Sequence, residues 1–248
     1  MNIDSWLNKN IDLSLIQGKT FLITGANSGI GFELAKILSK YRVFLIFAVR
    51  NLERGNKAKE EILAIYPHAY IKLMQLDLAD MESIKDFANK IIKEKIDIDY
   101  FINNAGVYRL PYSLTKQGLE IQMGTNFYGT LMLNELLLPY LNGLPHKIKV
   151  TFINSVTCYY YKYDINNLFP PETNKPIVTY ANSKTATIHI FEYYLNKYQD
   201  SNLEFYLVHP GATYTPLIDK GYKNQTIRLL GRKFMKIFFL RKIKQYLR

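Results

Sequence analysis

The sequence predicts an α/β fold built on a single doubly wound parallel sheet. Six short apolar, β-rich runs alternate with amphipathic stretches of crossover length along most of the 248 residues. These runs are almost continuously apolar, the pattern of strands covered by helices on both faces. A glycine-rich turn follows the first run and opens the first amphipathic stretch, where such sheets bind their ligands.

Taken in order, the strands are expected at TFLIT (20–24), VFLIFAV (43–49), YIKLMQL (70–76), DYFIN (99–103), IKVTFIN (148–154) and LEFYLVH (203–209). Their Val, Ile, Phe, Tyr and Thr content suits a pleated, packed surface. Helices are expected near 29–40, 53–65, 81–95, 115–140 and 179–199, each long enough to carry the chain back for a parallel partner. The longest loop is expected at 158–176, which holds Pro170, Pro171 and Pro176. No internal repeat or Pro/Gly-rich linker divides the chain. One domain is therefore expected over 18–225, preceded by an extension (1–17) and followed by a basic amphipathic segment (226–248) of the same domain.

With 48% hydrophobic and 21% charged residues the composition is that of an ordinary globular domain, not a disordered, fibrous or membrane-spanning chain. Cys158 is the sole cysteine, which suits a reducing compartment, and the opening MNIDSWLNKN lacks the basic-then-apolar order of a signal peptide. No run reaches 18 uninterrupted apolar residues, so a soluble, cytoplasmic protein is expected. The net charge of +11 would ordinarily suggest nucleic acid as a partner. Eight basic residues and no acid fall in 226–248, however, leaving a nearly balanced body, and no nucleic acid is expected. His68, His146, His189 and His209 lack metal-ligand spacing; no metal is expected, and His209 is expected to pack at the end of its strand.

The turn after the first strand reads TGANSGIG (24–31). Gly25, Gly29 and Gly31 there permit positive φ and a close backbone approach, and the following helix offers its N-terminal N–H groups to phosphates. The competing interpretation is a purely structural turn; dinucleotide binding is favoured by its place between the first strand and helix. Farther on, Tyr180 and Lys184 stand four apart, hence on one helix face. Chance supplies roughly two such pairs in a chain so rich in Tyr and Lys, and Tyr112/Lys116 and Tyr193/Lys197 have the same spacing.

Other motifs separate Tyr180 from those coincidences. LDLAD (76–80), NNAG (103–106), GTNFYG (124–129), INS (153–155), YANSK (180–184) and HPG (209–211) follow TGANSGIG in fixed order. Together they resemble the short-chain dehydrogenase/reductase family from about Gly18 to Leu217, and with AVRN (48–51) most resemble its retinol-dehydrogenase-like branch. The resemblance implies a Rossmann-type sheet and hydride transfer between a nicotinamide and a carbonyl or alcohol substrate. It implies Tyr180 as proton donor and acceptor, Ser155 as holder of the substrate oxygen, Asn126 as anchor of a water relay, and Lys184 as the ammonium that lowers the Tyr180 pKa and binds the nicotinamide ribose. For the cofactor it implies Gly25, Asn27, Ser28, Gly29, Ile30, Gly31, Asp77 (to the adenine amino group, or else a helix cap), Leu78, Asn104, Ala105, Gly106, Tyr180, Lys184, Pro210, Gly211, Thr213 and Thr215. Tyr112 is expected in a loop, and Tyr193 on a buried or interface face.

At the end of the second strand Val49 stands where NAD-specific sites place an acid, with Arg50 beside it. A guanidinium favours a 2′-phosphate, so NADPH is expected, with NADH as the alternative and reduction as the direction. Tyr108, Tyr159, Tyr160 and Tyr214 suggest an apolar substrate. Only 31 residues follow Leu217, where relatives continue through substrate-covering helices and a seventh strand; the closing unit is expected to be missing. A truncated, non-catalytic cofactor-binding relative is thus the alternative to an enzyme. In 226–248, Ile227, Leu230, Phe234, Ile237 and Phe238 recur near helical spacing among Arg and Lys, which suits either peripheral contact with an anionic membrane or a cover over the pocket. The resemblance also implies homodimerisation through the helices carrying Asn126 and Tyr180.

Overall fold

The computed structural model describes residues 13–159, 161 and 168–211. Thr213, Thr215, Tyr160, Tyr214, the segment 226–248 and the expected loss of a closing unit lie outside the described residues.

After a 3₁₀ turn at Leu13–Ile16 come β1 (Thr20–Thr24), α1 (Gly29–Leu38), β2 (Phe44–Val49), α2 (Leu52–Ile65), β3 (Tyr70–Gln75), α3 (Met81–Lys93) and β4 (Tyr100–Asn103). A long helix, α4, follows in three segments: Ile121–Met123, a π-helical turn Gly124–Gly129, and Thr130–Asn142. β5 (Ile148–Ile153), a second 3₁₀ turn (Val156–Tyr159), α5 (Pro176–Lys197) and β6 (Leu203–Val208) complete the described elements. The strands pair in parallel in the order β3-β2-β1-β4-β5-β6.

Strand positions expected from the sequence agree to within a residue at each end. α4 differs: it begins at Ile121, not 115. Gly118 takes φ +76°, and the Glu120 carboxylate caps the helix by accepting from the N–H groups of Gln122 and Met123, each at 2.8 Å. Pro176, expected in the loop, opens α5 instead, where its missing N–H and fixed φ cost nothing.

β1 and β2 are buried almost throughout. On one sheet face Phe21, Ile23, Phe47 and Val49 pack with Ala35 and Leu38 of α1 and Ile62 of α2. On the other, Leu22, Ile46, Phe101 and Phe152 pack with Ile84 and Phe87 of α3, Leu133 and Leu137 of α4, and Ile190 and Tyr194 of α5. The sheet is thus wound in both directions from β1, and its switch point lies between the carboxyl ends of β1 and β4. Among the described residues no helix is long and apolar enough to cross a membrane.

Candidate active site

At the switch point the chain leaves β1 through Gly25 (φ +69°) and Gly29 (φ +58°), a conformation that Cβ-bearing residues rarely take. The turn is pressed against the end of β4. A Cβ on Gly31 would stand 2.6 Å from Asn104 Nδ2 and 2.7 Å from the Gly25 carbonyl oxygen. Asn104 Nδ2 donates to the Thr24 carbonyl at 2.8 Å, while the backbone N–H groups of Asn104 and Ala105 donate to Thr24 Oγ1 at 3.0 and 2.9 Å. Ser28, at the N-cap of α1, makes no side-chain cap bond.

A cavity of about 460 Å³ opens there, lined at this end by Gly25, Asn27, Ser28, Gly29 and Ile30. An uncapped helix N-terminus behind a turn that leaves no room for a side chain at Gly25 and Gly31 fits the pyrophosphate of a dinucleotide. Gly31 does not line the cavity; it lets the turn close onto Asn104. Arg50, Asp77, Leu78, Asn104, Ala105, Gly106, Pro210 and Gly211 also line it. Asp77 is the sole acid among the described lining residues. Its Oδ1 accepts from the Ala79 N–H at 3.0 Å, and Asp80, not Asp77, caps α3.

Arg54 lines the same end and escapes the sequence reading. Its signal is the Arg50-x-x-x-Arg54 spacing: Asn51 caps α2 by accepting from the Arg54 N–H at 2.8 Å, so Arg54 lies in the helix's first turn, close to Arg50 in sequence. His209, expected to pack at its strand end, is an exposed lining residue.

Ser155, Tyr180 and Lys184 line the opposite end. Tyr180 is 6% exposed, and burial pushes its phenol up to about 12, with the hydrogen bond to Ser155 pulling the other way. Ser155 Oγ also accepts from Thr157 Oγ1 at 3.0 Å. The expected lowering of Tyr180 by Lys184 does not hold in this structure. Lys184 Nζ is 6.0 Å from the Tyr180 ring centroid, donates to the Ile153 carbonyl at 3.0 Å, and is itself driven down to about 8 by burial. Desolvation dominates both shifts because both groups are deep.

Asn126 sits behind the cavity wall, in the π-helical turn. Its Oδ1 accepts from the Val107 N–H at 2.8 Å, and its Nδ2 donates to the Val107 carbonyl at 2.9 Å and to Ser183 Oγ at 3.0 Å. Both amide protons are engaged, so the side chain offers no donor to a water relay and acts on the loop after β4. A Cβ on Gly106 would stand 3.1 Å from Asn126 Oδ1 and 3.8 Å from Lys184 Nζ, which brings these three residues together. The competing pairs lie elsewhere. Lys116 bonds Asp80, Tyr112 is in a loop, and Tyr193 is 50% exposed rather than buried, with Lys197 over its ring and paired to Glu135 at 3.0 Å.

Fold and cavity define a dinucleotide-binding α/β protein of the Rossmann type. The model of the short chain dehydrogenase family matches residues 19–226, and the chain belongs to that family of nicotinamide-dependent oxidoreductases. It is 33% identical to retinol dehydrogenase 11 of Mus musculus over 218 residues, covering 87% of this chain and 68% of that protein. It is 31% identical to the chloroplastic short-chain dehydrogenase TIC 32 B of Brassica napus over 235 residues, covering 91% of this chain and 72% of that one. Among solved structures, an uncharacterized protein from Mycobacterium Paratuberculosis superposes with a TM-score of 0.67 at 30% identity, over 83% of this chain and 73% of its own.

Proposed function

We propose that this chain is an NADP(H)-dependent oxidoreductase that interconverts a carbonyl and an alcohol on a small apolar substrate, working in the reductive direction. One observation supports this above the others: Tyr180, Ser155 and Lys184 line the same cavity as the glycine turn. When bound, a nicotinamide supplies the hydride for the carbonyl carbon. Tyr180 Oη gives its proton to the carbonyl oxygen, so the phenol O–H bond breaks as the alcohol O–H bond forms. The phenol is protonated at neutral pH, the state a donor needs, and burial extends that state to higher pH. Reduction is therefore sustained below the Tyr180 pKa and lost as pH rises through it, while alcohol oxidation needs the phenolate and runs the opposite way. Ser155 Oγ hydrogen-bonds the same substrate oxygen. Lys184 binds the nicotinamide ribose, and Asn126 holds the loop that forms the cavity floor.

Arg50 and Arg54 support NADPH over NADH, because two guanidinium groups at the adenosine end suit a 2′-phosphate and Asp77 is the sole acid among the described residues that line the cavity. Fluorescence titration is expected to show tighter binding of NADPH than of NADH, with Arg50→Ala and Arg54→Ala each narrowing the gap by roughly tenfold, the scale of one charge-assisted contact. Equal affinities in the unmodified protein would refute the preference. A panel of apolar aldehydes and ketones is expected to yield at least one that oxidises NADPH; tight binding without any turnover would favour the non-catalytic alternative.

A further inference from the structure

We propose that Tyr108 is the positioning residue for Tyr180 and an apolar wall of the substrate site, an inference that rests on the catalytic reading of Tyr180. The two rings meet edge to face, with centroids 4.7 Å apart and planes at 88°, and both residues line the cavity. Tyr108 is held from both sides. Before it, both backbone groups of Val107 are gripped by the Asn126 carboxamide. After it, Arg109 takes φ +50°, a conformation that a non-glycine residue adopts when its surroundings impose it. The strand-end loop, the π-helical turn of α4 and the start of α5 therefore converge on one ring. Leu110 and Val156 extend the apolar lining beside Tyr108.

The contact has a chemical consequence. Tyr108 lies against a phenol that also faces Ser155 from the end of β5, Cys158 from the 3₁₀ turn and Lys184 from its own helix. Both the burial Tyr108 contributes and its own polar group raise the Tyr180 pKa. Removing the ring admits water and lets Tyr180 ionise more readily.

The test uses the full chain labelled with 3-fluorotyrosine, whose more acidic phenol titrates within reach, with the Tyr180 ¹⁹F signal assigned by its loss in Tyr180→Phe. Tyr108→Ala is expected to move the Tyr180 midpoint to lower pH, whereas Tyr108→Phe, which keeps the ring, stays nearer the unmodified value. With decanal and NADPH, kcat is expected to fall roughly three- to tenfold in Tyr108→Ala, the worth of one edge-to-face pair, and to recover in Tyr108→Phe at unchanged NADPH affinity. If Tyr108→Ala does not fold, Tyr108→Leu takes its place, keeping apolar volume without the ring. An unmoved Tyr180 midpoint in a folded variant overturns the proposal whether or not decanal is turned over. Unimpaired decanal reduction by Tyr180→Phe would instead overturn the catalytic reading and leave the midpoint comparison to judge the contact.

Discussion

Lys184 is where burial and charge conflict most directly. Its folded-state pKa of about 8 lies below the ordinary lysine value of 10.5, so folding disfavours the charged form. The cost is fully present below about pH 8 and is released as pH rises to the ordinary value. Lys184→Met removes the ionising group, so its melting temperature relative to the unmodified protein is expected to be highest at pH 7 and to decline toward pH 10. Calorimetry without nucleotide measures this; a difference independent of pH would contradict it. At this scale the sequence was partly legible. Surrounding motifs distinguished Tyr180 and Lys184 from two chance pairs. The direction of the Tyr180 shift was not legible, because it depends on depth, and spacing along a helix carries no information about depth.

Among the elements, α4 departs most from its sequence pattern. The helix is expected from 115, yet Gly118 and the Glu120 cap delay the start, and the π-helical turn at Gly124–Gly129 has no sequence period to announce it. The turn presses the helix onto the segment after β3: a Cβ on Gly129 would stand 2.0 Å from the Leu78 carbonyl oxygen. Gly129→Ala is therefore expected to cost at least about 1–3 kcal/mol through overpacking against backbone. It should also weaken nucleotide binding, since Leu78 lines the cavity. Denaturant unfolding and fluorescence titration check the two effects, and an alanine variant as stable as the parent would show that α4 does not depend on this approach. The strands were the most legible elements, because continuous apolar runs bounded by polar residues have one natural interpretation in an α/β chain.

For the molecule as a whole, Gly29 of the glycine turn and Tyr180 are 151 residues apart in sequence, yet line one cavity. Parallel pairing makes this possible: every strand ends at the same edge of the sheet, and the switch in winding opens the crevice there. Arg54, legible as a spacing but not as a site residue, joins the cavity because the Asn51 cap sets where α2 begins. Tyr108 likewise required the structure, since its meeting with Tyr180 depends on two loops whose paths the sequence does not specify. The central claim is that hydride moves in this cavity and that Tyr180 moves the proton. The most direct test is single-turnover reduction of decanal by NADPH carrying deuterium at both C4 positions of the nicotinamide, with product deuterium read by mass spectrometry for the unmodified protein and Tyr180→Phe. The expected result is deuterium on the product carbinol carbon, formed at least about 10²-fold more slowly in the variant at unchanged NADPH affinity. Product without carbon-bound deuterium, or equal rates in the two proteins, would contradict the claim.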